Sequence, residues 1–107
     1  MMSDDSGYFK LASAIVASGM EDYYESGKKA VAMAIDFLKE MDFENKERKL
    51  KTFQGYVREI WESVDFFHSG WFAMLTEADG PTIHNMLKRK VNEYGRERIL
   101  ELSKKTV

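Results

Sequence analysis

The stretch Leu50-Lys51-Thr52-Phe53-Gln54-Gly55-Tyr56-Val57-Arg58-Glu59-Ile60-Trp61-Glu62-Ser63-Val64-Asp65-Phe66-Phe67-His68-Ser69-Gly70-Trp71 decides the fold class. Within it Leu50, Phe53, Val57, Ile60, Val64, Phe67 and Trp71 recur at alternating steps of three and four. Such spacing lays the apolar side chains along one stripe of a helix, as an a/d heptad seam. A seam of this kind needs a facing surface. The default is the chain's own flanking segments; the alternative is a homodimer through Leu50–Trp71.

The seam ends in an aromatic cluster. Phe66, Phe67, Trp71 and Phe72 fall within seven positions, interrupted by Ser69-Gly70. Ser69 is suited to cap a short helix over 71–77, which turns Phe72 and Leu75 back onto the same core. On this reading Phe67 and Trp71 are core residues, and Phe66 and His68 are left for the surface. Asp79-Gly80-Pro81 then forms a turn, with Pro81 at the first position of a helix reaching to about 103. Ile83, Leu87, Val91 (or Lys90) and Tyr94 line the buried face of that helix, Ile99 and Leu102 dock its end, and Gly95 is a place for a kink.

Upstream of the seam, Tyr8, Leu11, Ala12, Ile15, Val16, Met20 and Tyr23 share one face of a helix predicted over 5–26, capped by Ser3 or Asp5. Ser13, Ala14, Ser18 and Gly19 are small enough to admit a close neighbour. Ser26-Gly27 reads as a stop, with Gly27 in a left-handed cap. Val31, Ala34, Phe37 or Leu38, and Met41 form a second stripe over 28–42. That segment can equally continue the first helix, because one glycine does not enforce a break. The mixed-charge run from Asp42 to Lys51 reads as an exposed turn entering the next helix, with Asp42 or Asn45 near its cap. No stretch alternates with period two, and one proline and seven glycines leave few forced turns. The expectation is an all-α, single-domain bundle of four or five helices around one long heptad-patterned central helix.

Composition bounds the rest. The 107 residues suit one domain, 44% of them hydrophobic and 32% charged. With no cysteine, disulfides, thiolate metal sites and cysteine nucleophiles are excluded. No apolar run reaches the ~18 residues of a membrane span, and the acidic start Met-Met-Ser-Asp-Asp-Ser lacks the pattern of a secretory signal. A cytoplasmic protein is expected. The net charge of -2 is unevenly spread: residues 1–80 carry 9 Lys/Arg against 15 Asp/Glu, and residues 81–107 carry 7 against 3.

That basic segment holds the candidate polar surface. Thr82, Asn85, Lys88, Arg89, Asn92 and Arg96 recur at three- and four-residue intervals on the last predicted helix. Such a face can meet a protein partner or enter a DNA major groove, although a solvated basic helix has the same pattern. Motifs for chemistry are absent. His68 and His84 lie sixteen positions apart on different predicted elements, and no His/Glu pair sits at the one-turn spacing of a helical metal motif. Glu77 and Asp79 flank the turn before His84, where a small acid/base or metal site is conceivable, but the preferred reading is ordinary turn carboxylates. There is no glycine-rich phosphate loop and no nucleophile elbow. No catalytic, cofactor or metal residue is assigned, and an enzyme is not expected.

Two blocks carry a family resemblance. One is Ala12-Ser13-Ala14-Ile15-Val16 followed by Glu21-Asp22-Tyr23-Tyr24. The other runs from Phe66-Phe67-His68-Ser69-Gly70-Trp71-Phe72 through Ala73-Met74-Leu75-Thr76-Glu77-Ala78-Asp79-Gly80, with Ile83 and Leu87 beyond it. Together they resemble a family of small, largely uncharacterised proteins encoded by phages and prophages of Gram-positive bacteria, in which an "A-I-V…D-Y" helix precedes an "F-F-x-S-x-W-F-x-x-L-T-x-x-D-G" block. The resemblance covers about half the chain, which departs from the pattern over 24–51. It implies a phage accessory protein acting in the cytoplasm of the bacterial host, and it brings no catalytic residues. The functional expectation is a non-enzymatic protein that binds a host or phage protein, as inhibitor or regulator. The alternative is a small DNA-associated protein of phage replication or transcription that uses the basic C-terminal helix.

Overall fold

The computed structural model describes the backbone of residues 2–105 and the side chains of residues 7 and 10–104. It consists of four helices and, among the described residues, no strand: α1 (Met2–Lys39), α2 (Phe43–Phe67), α3 (Gly70–Leu75) and α4 (Gly80–Lys105). The all-α bundle expected from the periodicity is what forms. α1 and α2 make an antiparallel pair. α3 is a short corner, and α4 returns alongside α1, meeting it first at Tyr23 and His84, then at Gly27 and Val91, then at Val31 and Gly95. At ~1.5 Å per residue the 38 residues of α1 account for most of the 62 Å long dimension.

α1 is one helix rather than two. Its backbone is already helical at Ser3 and Asp5, whose side chains, expected to cap it, lie outside the described residues. Gly27 does not terminate it, and no described glycine has positive φ. The position is glycine because α4 needs the space: a Cβ on Gly27 would lie 2.6 Å from Val91 Cγ2. Contact with α4 thus offsets the ~1 kcal/mol that glycine costs inside a helix. Gly19 does the same for α2, where the ring of Phe66 fills the place a Cβ would take.

The turns are built from side-chain caps. Asp42 is the N-cap of α2 and accepts the N–H of Asn45 at 3.0 Å. Just before it, Glu40 accepts the N–H of Asp42 at 3.1 Å and the Lys49 ammonium at 2.8 Å. These two contacts, the ammonium first, pull the Glu40 carboxyl down to about 2. Ser69 caps α3: its Oγ accepts the Phe72 N–H at 3.1 Å and donates to the Phe66 carbonyl at 2.7 Å. Asp79 opens α4, its carboxylate accepting the Thr82 N–H at 3.0 Å and its carbonyl the Ile83 N–H.

The core sits where α3 closes the bundle. Tyr23, Phe67, Phe72 and Leu87 are buried together, with Val16, Met20, Ile60, Val64, Phe66, Ile83, Met86 and Val91 packed around them. The heptad stripe faces this core, but its burial is graded: Leu50 is 42% exposed, Phe53 to Val64 are half-buried, and Phe67 is 1% exposed. Trp71 breaks the expectation. The Ser69 cap starts a new helix, so the register of α2 stops at Phe67 and Trp71 lies 55% exposed. Phe66, expected at the surface, is half-buried among Phe67, Trp71 and Phe72. Leu11 and Ile99 also face out, Phe37 rather than Leu38 turns inward, and Met41 falls in the turn after α1. The side chain of Tyr8 lies outside the described residues.

Candidate functional site

The six residues of the expected polar surface all lie on α4, and all are exposed. Asn85, Lys88, Arg89, Asn92 and Arg96 follow one another along its outward face, opposite Leu87 and Val91. Thr82 is set apart, since both its N–H and its hydroxyl donate to the Asp79 carboxylate at the helix start.

A second surface was not anticipated. On the side of the α1–α2 pair away from α4, the two helices leave an open groove of about 740 Å³. Its floor is apolar: Ala14, Ile15, Gly19 and the half-buried Phe66. It is shallow at this point because Gly19 lets Phe66 lie directly on the α1 backbone. One end is closed by Trp71, which stands edge-to-face on Phe66 with ring centroids 5.7 Å apart and keeps more than half its surface in solvent.

The walls of the groove are acidic. Asp22 and Glu25 line it from α1, and Glu59 and Glu62 from α2. Lys29, the one cation among the described lining residues, sits at the far end with its ammonium 6.0 Å from the Tyr56 ring centroid. Two of the carboxylates have intramolecular partners. Glu25 pairs with Lys28 at 2.9 Å, and Glu59 accepts a 2.8 Å hydrogen bond from the buried hydroxyl of Ser26. Neither Asp22 nor Glu62 is hydrogen-bonded or ion-paired among the described residues. The signal for this groove was present as two i,i+3 acidic pairs, Asp22/Glu25 and Glu59/Glu62, but only the helix register puts them opposite each other.

A third feature joins residues that sequence spacing kept apart. His68, the C-cap of α2, and His84, in the second turn of α4, have Nε2 and Nδ1 3.2 Å apart. One imidazole N–H donates to the other ring's bare nitrogen, so the pair holds a proton between helices. His84 also packs edge-on against Tyr23, with centroids 5.5 Å apart. Its pKa lies below the ordinary value, first because it is desolvated, then because His68 and Lys88 are near. Ser69, beside the pair in sequence, already has its hydroxyl engaged by the α3 cap. Glu77 and Asp79 do not join the histidines: among the described residues no three His, Cys, Asp or Glu side chains come together as a metal site. No described helix is long and apolar enough to cross a membrane. Comparison with protein-family models, with curated proteins and with solved structures returned no match.

Proposed function

We propose that this chain is a non-enzymatic accessory protein of phage or prophage origin that binds another protein in the groove between α1 and α2. The observation that carries the reading is Trp71. A tryptophan more than half exposed, at the end of an apolar floor made by Ile15 and Phe66, has the character of an interface anchor rather than of a core residue. The aromatic packing behind it supplies rigidity, because Phe66 is itself held by Phe67 and Phe72. Regulation or inhibition of a host or phage protein by such docking needs no active site. Affinity capture from lysate of a Gram-positive host, with the Trp71→Ala variant as control, tests the reading. The expected result is a protein retained by the wild-type chain and lost from the variant. Equal retention by both removes the groove from consideration.

The second reading is nucleic-acid contact through α4, favoured by the continuous exposed face of Asn85, Lys88, Arg89, Asn92 and Arg96. Gel shifts at low and moderate salt decide it. Binding that falls steeply with salt and is weakened by Lys88→Ala and Arg89→Ala supports it; no shift at low salt sinks it.

A further inference from the structure

We infer that the partner segment received by the α1–α2 groove is a basic amphipathic helix, and this rests on the reading of that groove as the docking surface. The shape is that of a helix seat. Two antiparallel helices form its sides, α4 fills the opposite face of the same pair, and the lining runs from Ala14 to Lys29 along α1. Those sixteen residues span roughly 22 Å, four turns of an incoming helix. The composition sets what that helix carries. Its apolar side chains meet Ile15, Phe66 and Trp71. Its Lys or Arg residues face carboxylates on both walls, of which Asp22 and Glu62 have no cation or donor of their own among the described residues. An acidic helix would set like charges along the length of the groove, which disfavours it.

A second copy of this chain does not fit as the occupant, although α4 is basic. The outward face of α4 and the groove lie on different sides of the molecule. Joining one to the other is therefore a head-to-tail contact, which builds rings or filaments rather than a two-fold pair. The occupant is a helix of another protein.

Peptides provide the probe. In a Trp61→Phe background Trp71 is the sole tryptophan, because the chain has two, and its emission reports on the groove. Three synthetic helical peptides of about sixteen residues are titrated into the full chain. One has a Leu stripe flanked by Lys, one the same stripe flanked by Glu, and one the Lys pattern with Ser in place of Leu. The Lys/Leu peptide is expected to shift Trp71 emission to the blue and to bind more weakly as salt rises. In the Asp22→Asn/Glu62→Gln double variant its affinity is expected to fall roughly threefold to tenfold, with circular dichroism unchanged. Ile15→Gln should abolish the shift by polarising the floor without adding charge.

Equal binding of the Glu/Leu peptide, or an unchanged affinity in the double variant, overturns the basic-helix assignment while leaving the groove as a docking surface. Binding of the Lys/Leu peptide that Ile15→Gln does not weaken, or that leaves Trp71 emission unmoved, places it elsewhere and overturns both. Equal binding of the Lys/Ser peptide reduces the effect to bulk charge and also overturns the assignment. Self-association that shifts Trp71 and excludes the peptide puts a second copy in the groove and does the same.

Discussion

The two ends of this bundle are made from the same helices and packed very differently. Where α3 closes the structure, Phe67 and Phe72 are each 1% exposed, and an unbroken set of ring contacts runs from Trp71 through Phe66 and Phe67 to Tyr23 and His84. At the α1–α2 turn, Leu38, Met41 and Phe43 are largely exposed, Met41 to 94%, and Val31, Ala34, Phe53 and Val57 are only half-buried. The difference is one of topology more than of residue type. At the first end a fourth element caps the three long helices. At the other, no further element among the described residues covers the α1–α2 turn, which is held by polar contacts such as Glu40 with Lys49. Stability is therefore concentrated at one end, and the groove anchored by Trp71 grows out of that rigid end.

The contrast gives a ranked set of tests. Phe72→Ala removes a ring at the centre of the closed end, touching Phe66 and Phe67. It should destabilise the protein by about 3–5 kcal/mol, measured by urea unfolding. A loss near 1 kcal/mol would show that the closed end is not where stability lies. Gly80→Ala follows. A Cβ there would fall 1.7 Å from the Phe67 carbonyl oxygen, a backbone atom that cannot move aside without displacing α2 or α4. A loss of roughly 3 kcal/mol is expected, with the His68–His84 contact broken and visible in imidazole NMR shifts.

Gly27→Ala is next. The added methyl gains up to ~1 kcal/mol of helix propensity but overlaps Val91, so a net loss of about 1–2 kcal/mol is expected. The double variant with Val91→Ala should recover most of it. Recovery failing would mean that Gly27 matters through α1 alone.

A pH test probes the closed end through His84. Its folded pKa is lowered from the ordinary 6.5 by desolvation, with His68 and Lys88 adding repulsion. The unfolded chain then binds the proton more readily than the folded one. The contribution of neutral His84 is thus complete above about 6.5 and is lost as pH falls from there through the depressed folded value. The unfolding midpoint should drop on acidification through this window, and His84→Gln should flatten the drop. The smallest effect belongs to the open end: Leu50→Ala, at a site 42% exposed, should cost under about 1 kcal/mol. A cost as large as that of Phe72→Ala would mean the open end is covered in solution, by a second copy or another partner.

Some of the site was readable in advance and some was not. Asp42, Ser69 and Asp79 were recognisable as turn residues because a cap is decided by a few neighbouring positions. The α4 face was readable for the same local reason, its periodicity lying within one helix. Trp71 was misplaced because the three-four rhythm continues across Ser69 although the helix does not. The acidic groove and the histidine pair escaped because each draws its members from two helices, and nothing in the spacing of sixteen between His68 and His84 announces a 3.2 Å contact.

By itself, the sequence determined the all-α class, the three amphipathic stripes, the Ser69 cap, a cap at Asp42 or Asn45, the turn at Asp79 and the basic outward face of α4. These depend on periods and side-chain chemistry that act within a few residues. Only the tertiary structure decided that α1 runs unbroken through Gly27, that Phe66 lies under the groove while Trp71 stands at its end, and that His68 meets His84. Each of these depends on a contact between segments far apart in the chain, such as Val91 against Gly27 or Phe66 against Gly19. A glycine read alone is a breaker; a glycine with a side chain from another helix pressed against it is where two helices meet.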